Sequence, residues 1–151
     1  MGETGNDLNV MAIDPGATTG LAFVEIKLYW DRAEVVSMDV REAFSVNEIG
    51  QFVGLLGATC EKILIERSPA VMGDPKQALF FNNVIQSILQ MSNDVKGRLY
   101  IISPGNWKYV SAKRGWTYPR GSQHSKDAIG MVRYYIWETY QKDLIMRQEE
   151  K

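Results

Sequence analysis

Cysteine is nearly absent from this sequence. A single thiol, Cys60, in 151 residues allows no internal disulfide and no cysteine-held metal cluster. Its place between a Gly-rich stretch and the apolar Ile63-Leu64-Ile65 predicts a buried, inert side chain. Proline is scarce too, five residues against 13 glycines, and with 45% hydrophobic and 23% charged residues the composition excludes a disordered or fibrous chain. No apolar run approaches the ~20 residues that span a bilayer. The opening Met1-Gly-Glu-Thr-Gly-Asn-Asp7 lacks the basic and apolar parts of a secretory leader. What remains is a single domain over residues 1–151, expected in the cytoplasm, with flexible tails at 1–7 and roughly 144–151.

The net charge of −1 hides a polarity along the chain. Residues 1–94 carry 13 acids and 6 bases, whereas residues 95–151 carry 5 acids and 11 bases. Between Lys96 and Arg133 the only acid is Asp127. A lone carboxylate in so basic a stretch marks a place where function is to be sought.

Hydrophobic patterning gives the element order βββαβαβα. Leu8 to Asp14 reads as a buried strand stopped by Pro15-Gly16, Leu21 to Trp30 as a second strand, and Glu34 to Val40 as a third. From Ser45 the period becomes helical, with Ser45 and Glu48 forming a capping box and Val46, Ile49, Phe52, Val53 and Leu56 on one face. Lys62 to Glu66 is a fourth strand. Pro75 opens a second helix with Leu79, Phe80, Val84, Ile85, Ile88 and Met91 on its apolar side, and Arg98 to Ser103 is a fifth strand. Asn106 to Gly121 reads as a short helix and a mobile loop. A last helix from Ser122 has Ala128, Met131, Val132, Tyr135 and Ile136 inward. Such an order predicts an α/β domain with a five-stranded mixed sheet, in which ligands gather at the carboxyl ends of the parallel strands.

Two acids end apolar strands, Asp14 after the first and Glu66 after the fourth, and strand-end carboxylates of this kind can be neighbours in space. His124 and Asp127, three apart at the start of the last helix, project from one face within a turn. Together they would form an oxygen-rich site with one imidazole, better suited to Mg²⁺ or Mn²⁺ than to zinc. Each residue alone has a plainer reading. Asp before Pro-Gly is a common turn former, Glu66 can pair with Lys62 or Arg67, and an Asp near a helix start serves the dipole.

Ile13-Asp14-Pro15-Gly16-Ala-Thr-Thr-Gly20-Leu21-Ala22, Ile63-Leu-Ile-Glu66 and Ser122-Gln-His124-Ser-Lys-Asp127-Ala128 resemble the RuvC-like Holliday junction resolvases of the RNase H-like superfamily. The order of elements matches over residues 8–140. The resemblance implies an RNase H-like fold, a crossover junction endodeoxyribonuclease activity, and two Mg²⁺ ions per site, replaceable by Mn²⁺. By matching position it assigns Asp14, Glu66, His124 and Asp127 as metal-binding and catalytic residues. Some members have two carboxylates where this chain has His124 and Asp127, so His124 is either a ligand or a proton carrier. It also implies a homodimer, since paired incision of a four-way junction needs two sites at a fixed separation. The second helix is the expected interface, through whichever of Asn82, Asn83, Gln86, Ser87 and Leu89 lie off its core face. Trp107-Lys108 and the short approach to His124 look more like resolvases of phages or mobile elements. The expected setting is then the nucleoid, or a host's cytoplasm if phage-encoded, with no branch-migration partner implied.

The basic stretch supplies the DNA-facing candidates: Lys108, Lys113, Arg114, Arg120 and Lys126 interleaved with Trp107, Tyr109, Trp116 and Tyr118, a mixture suited to phosphates and to stacking on unpaired or distorted bases. Phe80-Phe81 resembles the place where the family opens the junction centre, with Phe81 the better wedge because it falls off the apolar stripe. Three other readings remain. An RNA–DNA hybrid nuclease on the same fold would depend on the 2′-OH. An actin-like ATPase would need two lobes, and the length allows one. A non-catalytic DNA-binding protein would have no need of the acidic set.

Overall fold

The computed structural model describes residues 5–15, 18–67, 75–76, 79, 82–86, 95–117 and 123–146. Strands β1 (Asn6–Asp14), β2 (Thr19–Leu28) and β3 (Ala33–Ala43) form an antiparallel meander. On the other side of β1, β4 (Lys62–Glu66) pairs in parallel, and β5 (Leu99–Ile102) continues the sheet in parallel with β4. Among the described residues, the helices with both ends defined are α1 (Val46–Leu56), α2 (Pro104–Lys113) and α3 (Gln123–Tyr140). Residues 82–86 are helical, within the second helix expected from the sequence.

The sheet has six strands, not five, in the order β5-β4-β1-β2-β3-β6. The additional strand, β6 (Leu144–Ile145), pairs in parallel with Ala33 and Glu34 at the start of β3. Asn6 and Asp7 likewise belong to β1, opposite Leu28 and Lys27. The strands therefore reach into both segments expected as tails. Pairing to a neighbouring strand satisfies main-chain groups that a free tail would leave to water.

Alternation along β1 separates two cores. Leu8, Val10 and Ala12 face α3 with Leu64, Ile102, Ala128, Met131, Val132, Tyr135 and Ile136. Met11 and Ile13 face α1 with Ile49, Phe52, Val53, Ile63 and Ile65. Burial on both faces is why the strand is a continuous apolar run instead of an alternating one. The capping box holds as expected: the Ser45 hydroxyl accepts from the Glu48 amide at 3.1 Å, and Glu48 Oε1 accepts from the Phe44 amide at 2.6 Å. Cys60 is buried with its thiol pushed up to about 12 by burial, which keeps it unreactive. Leu79 departs from expectation, being exposed rather than packed inward.

Candidate active site

Parallel pairing of β1 and β4 runs up to Ile13 beside Ile65. One step further along both strands come Asp14 and Glu66, each in the α3-facing series that Ala12 and Leu64 begin. Both are buried, at 6% and 8% exposure, and a side-chain hydrogen bond joins them. Two carboxylates cannot both ionise cheaply in such a place. Asp14 is accordingly pushed up to about 9, first by burial, then by the hydrogen bond and charge of Glu66, then by the charge of Asp127, with Lys108 opposing.

The remaining pieces arrive on helices. Pro104, in the first turn of α2, supplies a φ already fit for a helix and a missing N–H that the turn does not need. Three residues on, Trp107 is 3% exposed, and its indole Nε1 donates to Glu66 Oε2 at 2.6 Å. A charge-assisted bond of this length fixes the carboxylate's orientation. The next residue, Lys108, is exposed, and Asp127 on α3 is half-buried just before the fully buried Ala128.

α2 ends in a Schellman turn. Gly115, at φ +67°, donates to the Ala112 carbonyl at 3.2 Å, and Trp116 donates to the Ser111 carbonyl at 3.0 Å. The turn buries Trp116 under the Arg133 guanidinium, 4.8 Å from the ring centre, and leaves Arg114 over Trp137 at 3.6 Å.

The structure thus brings Asp14, Glu66 and Asp127 into one electrostatic neighbourhood with Lys108. The backbone of His124 lies in the first turn of α3; its side chain lies outside the described set, as do Phe80, Phe81, Tyr118 and Arg120. Lys113 and Arg114 are exposed and Lys126 is half-buried, compatible with a phosphate-facing surface. Trp107 and Trp116 correct the expectation of base-stacking aromatics, because both are buried and offer no open face to a base. Trp107 instead serves Glu66, a role the sequence reading missed. The stretch around it has no clean helical period, so no sequence signal marked that role.

An Asp14 whose charge is disfavoured by burial and by Glu66 is a fit to a hard divalent cation, which takes oxygen ligands and would remove the repulsion. Asp14 and Glu66 provide the floor of such a site. Among the described residues, no three His, Cys, Asp or Glu side chains gather closely enough to hold an ion on their own.

No protein-family model matches the chain, and no curated protein matches it in sequence. Among solved structures, T. thermophilus RuvC in complex with Holliday junction substrate superposes with a TM-score of 0.60 at 16% identity, covering 88% of this chain and 97% of that one. This chain has the RuvC fold, of the RNase H-like class. Two looser likenesses are a Ppx/GppA-family protein from Aquifex aeolicus (TM-score 0.42, 14% identity, 71% of this chain and 40% of that one) and the human cytomegalovirus terminase nuclease domain soaked in Mn (TM-score 0.41, 10% identity, 91% and 86%). Neither is close enough to bear on function. In the RuvC fold as this chain builds it, the carboxyl ends of β1 and β4 and the start of α3 meet at one end of the sheet, where the acids stand. No helix among the described residues is long and apolar enough to cross a membrane.

Proposed function

We propose that this protein is a metal-dependent endonuclease that resolves four-way or branched DNA by paired phosphodiester hydrolysis. The observation that carries the reading is the buried, hydrogen-bonded pair Asp14 and Glu66 at the ends of adjacent parallel strands in a RuvC fold. In this reading Asp14, Glu66, His124 and Asp127 hold two Mg²⁺ ions, for which Mn²⁺ can substitute. Bound there, such ions would activate an attacking water at neutral pH and would offset charge developing on the leaving oxygen.

The chain's own side chains set the rest of the chemistry. Trp107 holds Glu66 in one orientation, so that the carboxylate does not swing away when Asp14 loses its proton. Lys108 adds a positive charge near Asp14, of the sign that would stabilise a scissile phosphate. His124 is a ligand or carries a proton from the attacking water or to the leaving group. Lys113, Arg114 and Lys126 track flanking phosphates, with Arg120, Phe80 and Phe81 as further contacts to the junction. A homodimer with its interface on the second helix would present two sites to the two strands. A DNA substrate goes with action in the nucleoid, or in the host's cytoplasm for a phage-encoded enzyme.

The test is cleavage of an immobile four-way junction in Mg²⁺ by the wild type and by Asp14→Asn, with matched duplex, single strand and RNA–DNA hybrid as controls. The expected result is symmetric paired nicks in the junction, abolished in Asp14→Asn with junction binding largely kept. Turnover by Asp14→Asn would sink the assignment, and cutting of the hybrid alone would move the protein to the ribonuclease branch.

A further inference from the structure

Away from the carboxylates, α2 and α3 line an open cavity of about 510 Å³, bordered by Tyr109, Val110, Lys113, Arg114 and Trp137. Its volume falls in the range of small-ligand sites. Among the described residues, two cations line it and no acid does. The cations are arranged on aromatic rings: the Arg114 guanidinium lies 3.6 Å from the centre of Trp137, and Lys113 Nζ lies 5.7 Å from the centre of Tyr109. Tyr109 itself is 65% exposed, so much of its ring is open to solvent beside Lys113.

A surface that merely attracts duplex backbone needs charge alone. Here charge is combined with flat faces. Trp137 backs one side of the guanidinium, and the Schellman turn at Gly115 fixes the backbone that carries it. Guanidinium planes and tyrosine rings are the surfaces on which unstacked bases rest, and every base offers a face to them. Of its lining residues, Tyr109 directly follows Lys108 and Arg114 lies six residues further along the chain, about 9 Å at the helical rise, which puts the cavity within a nucleotide or two of a phosphate at the candidate active site.

We infer that the α2/α3 cavity takes one unpaired nucleotide of the DNA strand leading to the active site, its base lying on Arg114 beside Tyr109 and its phosphate facing Lys113. This deepens the nuclease reading and rests on it for the identity of the strand. Selectivity for branched over continuous duplex would then come partly from a pocket that only an unstacked nucleotide can enter.

The decisive variant is Arg114→Lys, which keeps the charge, loses the plane and sits on the surface where folding tolerates it. The probe is a branched oligonucleotide with 2-aminopurine at an unpaired position beside the branch, compared with a fully paired duplex of the same length, both with metal chelated. The wild type should bind the branched probe with a change in 2-aminopurine emission. Arg114→Lys should weaken that binding about tenfold and abolish the emission change, while duplex affinity falls far less. Tyr109→Ala should act in the same direction. Equal losses on both DNAs, or no loss on either, would overturn the proposal by reducing Arg114 to a point charge. Cleavage in Mg²⁺ is scored separately: a wild type that never cuts but keeps Arg114-dependent recognition of the unpaired base would retire the nuclease reading and support the cavity's role.

Discussion

Asp14 links stability to pH with a sign opposite to that of most carboxylates. Its folded value of about 9 lies far above the ordinary 3.8, because burial and Glu66 disfavour its charge. Between those values the folded chain binds more protons than the unfolded chain, so stability is full at the acid end of the window and falls as pH rises through it. The slope from this one group is at most about 1.4 kcal/mol per pH unit. Thermal melts of metal-free protein at pH 5 and pH 8 should show the loss, and Asp14→Asn should flatten it. Added Mg²⁺ should recover stability at pH 8, where the ion replaces the proton as the counter-charge. Trp107 gives a second test at the same scale. Trp107→Phe keeps the ring and removes the N–H donated to Glu66. Outer-sphere changes of this kind cost about 10–100-fold in metal affinity, so Mn²⁺ titration by calorimetry should register such a loss. Unchanged affinity would leave the bond a purely structural contact.

At the scale of elements, Gly115 is where the end of α2 depends on one residue. A Cβ there would meet nothing within 4 Å, so the cost of Gly115→Ala comes wholly from its left-handed backbone, at φ +67°. That cost is about 1–2 kcal/mol and should appear as a lower urea midpoint with an unchanged slope. Several elements were legible in the sequence because local pattern and tertiary demand agree. Ile13-Asp14 and Ile65-Glu66 announce a carboxylate where an apolar strand ends, and Ser45 with Glu48 announces a helix start. Leu144–Ile145 was not legible, since two residues carry no period and their strand exists only because β3 lies beside them. The place of Trp107 was misread for a related reason. Its neighbours are basic and polar, but its partner, Glu66, is 41 residues away.

Across the whole molecule, the charge polarity of the sequence becomes a polarity of shape. Acids Glu25, Glu34, Asp39 and Glu42 lie on β2 and β3, on one side of β1, whereas β5 and the basic α2 that follows it lie on the other. DNA attracted to the basic side would release counterions in proportion to the phosphates contacted. Lys113→Ala combined with Arg114→Ala should therefore reduce the slope of log affinity against log salt by about 2. Filter binding at a series of salt concentrations, with metal chelated, checks this, and an unchanged slope would remove both residues from the phosphate track.

The six-stranded order also gives the short β6 an importance beyond its length. Ala33 and Glu34 would otherwise leave main-chain donors and acceptors open at the outer margin of the meander, a template on which another extended chain can grow. Leu144, fully buried, tucks that margin in. This two-residue strand thus works as a selvedge: shortening the chain before Leu144, to ease purification or to attach a tag, would invite the molecules to stitch themselves together edge to edge.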